Sequence, residues 1–391
     1  MKHISRIAEA LQGQKMFQVL AHAQELEKKG INVIHLEIGD PDFDSPPNVV
    51  DAACHALRSG HTHYTVSAGM EEFRVAAANM TRRSRGFLPS INQILVTPGA
   101  NIQIYLAIAS TVNPGEEVIV TDPCFVSYTS IIALCGAKAV MVPVYEKNQF
   151  RIDPEDLRKA VTSKTRLIII NSPNNPTGAV MNEDDICAVY QIAEENDTYL
   201  LSDEVYGRMV YPDDTIRFFS PSVYDHCKER TIIVHSFSKS YAMTGWRIGG
   251  ITGPEPLINR MALLLETLTS CVAPFVQLAA IEAMTSSQDY VDNMMQSYRR
   301  RRDLIVAGLN DIESIKCLTP GGAFYAFPNI TGTGFGSEEF CNFILNEAGV
   351  ALCPGNFFGA AGEGYVRFCF ANSEEKILEA LYRIKQALHN R

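Results

Sequence analysis

No two cysteines in this chain are spaced as a metal knuckle or a redox pair. The ten stand singly, at Cys54, Cys124, Cys135, Cys187, Cys227, Cys271, Cys317, Cys341, Cys353 and Cys369. Zinc spacing is therefore absent, and most of the thiols read as small buried hydrophobes in a reducing compartment rather than as a disulfide framework. Positive charge is also scarce. With 34 Lys and Arg against 44 Asp and Glu, the formal charge is -10, whereas nucleic-acid binding needs clustered cations against phosphate. The one dense basic run, Arg299-Arg300-Arg301-Arg302, reads as a solvated or salt-bridged helix face. No segment is apolar for long enough to span a bilayer, and Met1–Arg6 carries neither an apolar core nor a small-residue cleavage site. These absences predict a cytoplasmic protein with neither nucleic acid nor membrane as a partner. A phosphate-binding Gly-x-x-x-x-Gly-Lys-Ser/Thr loop, the dinucleotide glycine spacing and internal repeats are missing too.

What is present is a chain of 391 residues, 46% hydrophobic and 20% charged, longer than one hydrophobic core usually supports. From about residue 90 to 253, short apolar runs alternate with amphipathic stretches. The seven runs are 93–96, 117–120, 139–142, 166–170, 198–201, 231–234 and 247–251. Several are unbroken β-branched or leucine runs, as in strands covered on both faces. Asp153-Pro154-Glu155-Asp156 and Asn182-Glu183-Asp184-Asp185 read as helix starts between them. The pattern predicts an α/β fold: a mainly parallel, seven-stranded sheet sandwiched by helices, with a smaller α+β domain after it. The expected division is an N-terminal arm over 1–45 that packs with the small domain, a large domain over 46–275, and the small C-terminal domain over 276–391.

In such sheets, ligands gather at the carboxyl ends of the strands. There the sequence collects Thr97-Pro98-Gly99-Ala100-Asn101, Asp122-Pro123-Cys124-Phe125, Asn171 to Gly178, Ser202-Asp203-Glu204-Val205-Tyr206 and Ser236-Phe237-Ser238-Lys239. Lys239 lies between small hydroxyl residues, just beyond the apolar run 231–234, with Arg247 shortly behind. An amine, hydroxyls and a guanidinium so placed suit pyridoxal phosphate: Lys239 for a Schiff base with the aldehyde, Ser236, Ser238 and Arg247 for the phosphate. A surface lysine is the alternative, which the preceding apolar strand disfavours. Burial beside Arg247 would lower the amine's pKa toward the neutral form that attacks an aldehyde, and the freed amine can then move a proton.

A carboxylate beside a pyridine nitrogen keeps it protonated, and Asp203 suits that part, although aspartate there is equally the cap of the next helix. Tyr206 and Asn175 can both hydrogen-bond the phenolic oxygen, while Asn174-Asn175-Pro176-Thr177-Gly178 is also simply a turn sequence. The amides at Gly99, Ala100 and Asn101 open an expected helix and would meet an anion there. Phe125 can stack on a ring or belong to the core. Arg367, in Tyr365-Val366-Arg367-Phe368, is the candidate for a substrate carboxylate, or else an exposed strand arginine.

In this order the residues resemble the class I and II aminotransferases, the aspartate aminotransferase group of fold-type-I pyridoxal phosphate enzymes. The resemblance runs from Leu36-Glu37-Ile38-Gly39-Asp40-Pro41 to Val366-Arg367-Phe368, and the stretch from Ser236 to Gly249 is its most specific part. It implies transfer of an amino group from an L-amino acid to a 2-oxo acid by ping-pong turnover, with a carbon-sulfur β-lyase on the same scaffold as the rival. It also implies Gly39 beside Arg367 at the substrate carboxylate, and a homodimer in which Tyr64 reaches the partner subunit's phosphate. Phe125 stands where many relatives carry Trp or Tyr, and Asn101 where some that accept dicarboxylates have Lys.

Overall fold

The computed structural model describes residues 3–5, 8–9, 13, 15–213 and 216–390. Met1, Lys2 and Arg6, used above in reading the N-terminus, and parts of the arm assigned to 1–45 lie outside these. Strands are numbered in chain order: β1 Ile34–His35, β2 Ile94–Thr97, β3 Glu117–Asp122, β4 Lys138–Pro143, β5 Thr165–Asn171, β6 Tyr199–Asp203, β7 Thr231–Ser236 and β8 Gly249–Thr252, then β9 Tyr325–Ala326, β10 Val350–Ala351, β11 Cys353–Pro354 and β12 Val366–Cys369.

Seven of these strands form one sheet in the order β2-β8-β7-β6-β5-β3-β4. Only β8 runs against its neighbours β2 and β7; the other pairs are parallel. The apolar runs lack polar alternation because both faces are covered. Leu167 and Ile169 of β5 enter one core cluster, with Ile104 and Ile108 of the helix Ala100–Thr111, while Ile168 and Ile170 enter another, with Ile186 and Val189 of the helix Glu183–Glu195. A period of two puts successive side chains on opposite faces, so a doubly covered strand must be apolar throughout.

The expected helix starts form as the sequence specifies. Asp153 Oδ1 accepts from the Glu155 amide at 2.9 Å. Asn182 and Asp185 make a reciprocal capping box, at 2.8 and 3.1 Å. Two strand limits differ from expectation: Gln93 belongs to a short 3-10 turn, and Arg247 precedes β8 in a left-handed conformation, φ 53°.

The C-terminal part carries an antiparallel sheet, β11-β12-β9, packed with the helices Asp289–Asn310, Ser337–Ala348 and Glu374–His389. The N-terminal segment joins it: Ile34 pairs with Val350 and His35 with Ala351, in parallel. This strand ends at His35, so Leu36 to Gly39 continue as an irregular segment toward the pocket. The four-arginine run is a salt-bridged helix face, as expected, with Arg301 and Arg302 buried. Arg301 Nη1 donates to Asp42 Oδ1 at 2.7 Å and its guanidinium lies over Phe43, while Arg302 lies over Tyr211. Among the described residues no helix is long and apolar enough to cross a membrane, and no cluster of His, Cys, Asp and Glu could hold a metal.

Candidate active site

The carboxyl ends of the strands and the β12 edge enclose a cavity of about 330 Å³, lined by Gly39, Ala100, Asn101, Phe125, Asn175, Asp203, Tyr206, Ser236, Ser238, Lys239, Arg247 and Arg367. Twelve of the fourteen residues singled out in the sequence thus meet in one place. Gly99 adjoins it as the N-cap of the helix Ala100–Thr111, at φ 84°. Tyr64 does not reach it: its side chain is 88% exposed on the surface of the chain.

Lys239 lies in the single turn Phe237–Ser240 that follows β7, and its Nζ donates to the Gly39 carbonyl at 2.5 Å. Burial lowers its pKa from 10.5 to about 8. A far larger share of the amine is therefore unprotonated near neutral pH than at the ordinary value. The side chain is therefore suited to nucleophilic attack and to taking up a proton.

Asp203 ends β6, where Oδ1 accepts from the Val205 amide at 3.1 Å and Oδ2 accepts from Tyr128 Oη at 2.6 Å. The capping contact and the pocket-facing position therefore coexist. Burial pushes the carboxyl up to about 6, against the pull of the two hydrogen bonds. An apposed cation would stabilise its ionised form.

The two adjacent asparagines make different contacts. Asn174 Oδ1 accepts from the Thr177 amide and hydroxyl and so holds the turn. The Asn175 amide donates to Asn171 Oδ1 at 2.8 Å, and Asn171 Nδ2 donates to the Asp203 carbonyl at 3.0 Å. This fixes Asn175 against the ends of β5 and β6, with its own Oδ1 accepting from Arg367 Nη1 at 3.0 Å.

Arg367 is 1% exposed, so it is no surface strand arginine. Nη2 donates to the Glu37 carbonyl at 2.5 Å, and the guanidinium lies 4.6 Å from the Tyr325 ring centroid and 4.7 Å from that of Phe358. Among the described residues no carboxylate pairs with it, and its Nε is buried without a partner. A buried guanidinium with spare donors favours a carboxylate.

Ser236 Oγ accepts from the Ser238 amide at 3.1 Å and donates to Ser238 Oγ at 2.9 Å. Arg247 closes the same side: a Cβ on Gly99 would stand 2.3 Å from its Nη2, so only glycine lets the loop approach the guanidinium. The helix behind Gly99 runs for 12 residues and presents the positive end of its dipole here.

Sequence reasoning missed Tyr128 and Tyr325. Tyr128 follows Phe125 by three residues, their rings edge-to-face at 5.6 Å, and its hydroxyl holds Asp203. Tyr325 Oη hydrogen-bonds Tyr206 Oη at 2.8 Å. It also explains Gly39, where a Cβ would stand 2.0 Å from the Tyr325 hydroxyl. Met16, Phe17 and Ile38 add apolar lining.

The geometry has close counterparts. The chain is 41% identical over 380 residues to an aspartate aminotransferase of Pyrococcus horikoshii, covering 96% of this chain and 94% of that protein. It is 41% identical over 359 residues to aromatic-amino-acid aminotransferase 2 of Thermococcus litoralis, covering 91% and 92%. The solved structure of an alanine aminotransferase from Pyrococcus furiosus superposes with a TM-score of 0.95 at 32% identity, covering 100% of both chains. The family model described as aminotransferase class I and II matches residues 31–384. A lysine, a carboxylate and a guanidinium around one cavity at the carboxyl ends of this sheet thus have their explanation in descent: the chain belongs to the class I and II aminotransferases, a pyridoxal-phosphate-dependent family.

Proposed function

We propose that Lys239, Asp203 and Arg367 divide the work of amino transfer: Lys239 binds the cofactor aldehyde and carries the proton, Asp203 faces the pyridine nitrogen, and Arg367 takes the α-carboxylate of the amino acid. The observation that carries this reading is Lys239 Nζ, buried and lowered to about pKa 8, in the same cavity as a desolvated carboxylate and a guanidinium without an acidic partner. The residues fit pyridoxal phosphate. The bare backbone at Gly99 against Arg247 forms a cup that any side chain would fill, and among the described residues no cation shifts the Asp203 carboxyl.

Pyridoxal phosphate, when bound, supplies an electron sink for the α-carbon of the amino acid. Ser236, Ser238, Arg247 and the amides of Gly99, Ala100 and Asn101 would hold its phosphate, with Phe125 beside its ring. Tyr206 Oη and Asn175 Nδ2 are the donors for its phenolic oxygen, with Tyr325 Oη orienting the first. As its neutral amine, Lys239 Nζ would take up the proton from the α-carbon and, as the ammonium, give it back within the cavity, which its lowered pKa permits at neutral pH. Arg367, fixed by Asn175 and the Glu37 carbonyl, sets the carboxylate so that the α-hydrogen faces Nζ, with Gly39 lining the same cavity.

An L-amino acid donor and a 2-oxo acid acceptor, used by ping-pong turnover, complete the reading. The apolar lining from Met16, Phe17 and Ile38 supports a donor with an uncharged side chain. The exposed Tyr64 supports a homodimer in which it reaches the partner subunit's phosphate. The division at residues 45 and 275 is part of the proposal. Pairing of β1 with β10 supports the first limit, and the helix Pro274–Thr285 bridges the second, bonding back through Gln277 to Met70 and through Glu282 to Asn48.

The test is a half-reaction: holoenzyme with single amino acids and no acceptor. Stoichiometric conversion to the amine form of the cofactor, fastest with alanine or an aromatic donor, is expected. Faster conversion with aspartate overturns the side-chain assignment, and continuous release of pyruvate and ammonia overturns the transfer mechanism.

A further inference from the structure

Behind the turn that carries Lys239 lies a second cavity, of about 160 Å³. This is well above the ~10–15 Å³ that one water needs. Ser236 lines both cavities, and Phe237, Ser240 and Tyr241 line this one from the lysine turn. Three arginines border it, Arg83, Arg85 and Arg208, against one carboxylate, Glu204. That carboxylate is already committed. Its Oε2 accepts from Arg85 Nε at 2.9 Å and also from Arg85 Nη2, and its Oε1 accepts from Ser220 Oγ at 2.5 Å. Among the described residues Arg83 donates only to the Met284 carbonyl, at 3.0 Å. Arg208 Nη1 has Tyr241 Oη at 2.6 Å and Gln288 Oε1.

Among the described residues neither Arg83 nor Arg208 pairs with an acid, so two positive charges at this cavity are uncompensated. His235 supplies an independent sign of a missing ligand. Its Nε2 is buried without a partner, and burial, with the charge of Arg85, pushes its pKa well below 6.5. A neutral imidazole can present either a proton or a lone pair. Guanidinium groups beside a donor and a few apolar walls match a small oxyanion.

We propose that this cavity binds a small oxyanion, a carboxylate or a phosphate, and that its occupancy is felt at Lys239. The connection is short. Arg208 holds the Tyr241 hydroxyl, the Tyr241 ring stacks on Phe237 at 5.4 Å and 29°, and the Tyr241 amide donates to the Phe237 carbonyl at 3.1 Å, closing the lysine turn. An anion that draws Arg208 toward itself loosens that hold. Arg367 lines the substrate cavity and not this one, so its ligand does not compete for Arg367.

The binding part stands without the catalytic reading, whereas the effect on Lys239 rests on it. Inorganic phosphate and acetate, titrated separately into holoenzyme by calorimetry, test the first. The pH midpoint of the cofactor's near-visible band tests the second. Saturable binding is expected, stronger for phosphate if that is the natural group and for acetate if a carboxylate is. R208Q and R83Q should each weaken it by on the order of 10- to 100-fold, as loss of a charge-assisted hydrogen bond does, without changing affinity for a substrate-like inhibitor at Arg367. Should one variant not fold, the other carries the comparison. Absence of binding, or equal binding by the parent and both variants, overturns the site. Binding that leaves the band midpoint unmoved overturns the coupling.

Discussion

Replacing Tyr128 by Phe removes one hydroxyl and keeps the ring that packs against Phe125. That hydroxyl donates to Asp203 Oδ2 at 2.6 Å, inside the core. A hydrogen bond to an ionised group contributes ~1.5–3 kcal/mol, and about 1.4 kcal/mol corresponds to one pKa unit. Its loss should lift Asp203 from about 6 by roughly one to two units. The sign comes from linkage. The folded pKa already exceeds the usual 3.8, so this group's share of the stability of the cofactor-free protein is greatest in acid and is lost as pH rises through the folded value. Y128F extends that loss into the neutral range. Urea unfolding of cofactor-free parent and variant should show them within ~1 kcal/mol of each other at pH 5 and separated by ~1.5–3 kcal/mol at pH 8.5, the variant being weaker. In the holoenzyme the acid limb of kcat should move to higher pH. A stability difference that is flat from pH 5 to 8.5 would refute the claim that Tyr128 acts through the charge of Asp203.

Arg367→Lys should lower kcat/KM by ~10²–10³, since a buried fork is replaced by a point charge and the Asn175 contact is lost; the cofactor spectrum should persist, and steady-state kinetics with matched absorption scans check both. Gly99→Ala places a Cβ 2.3 Å from Arg247 Nη2 at φ 84°, so cofactor affinity should fall while the circular dichroism of the fold stays unchanged. Equilibrium dialysis against pyridoxal phosphate measures it. Tyr64→Phe, at an 88% exposed position, should leave the stability of the chain within ~0.5 kcal/mol yet weaken cofactor binding, provided that sedimentation shows a dimer.

The sheet was legible because its strands are covered on both faces and so carry unbroken apolar runs, and because each run ends in turn-forming polar residues where a pocket must lie. The lysine stretch was legible for a different reason: hydroxyls, an amine and a guanidinium at fixed short spacing have few uses besides a phosphorylated aldehyde. Tyr128 and Tyr325 were not, since each reads as an ordinary core aromatic until the fold brings its hydroxyl to Asp203 or Tyr206. The arginine run was legible in kind, as a salt-bridged helix face, with Arg300 on Glu374, Arg301 on Asp42 and Arg302 on Asp303. Its long-range cover was not, since Asp42, Phe43 and Tyr211 arrive from distant parts of the chain to pack on Arg301 and Arg302. Contacts that depend on long-range packing leave no local trace in sequence, which is also why the cavity behind the lysine turn had no signature.

Borohydride reduction of the purified holoenzyme, then peptide mapping, tests the central assignment most directly. The account predicts one stable cofactor adduct per chain, on the peptide containing Lys239, and none in a Lys239→Ala protein of unchanged fold. A label on another lysine, or a Lys239→Ala protein that still turns over at the parent rate, would contradict it.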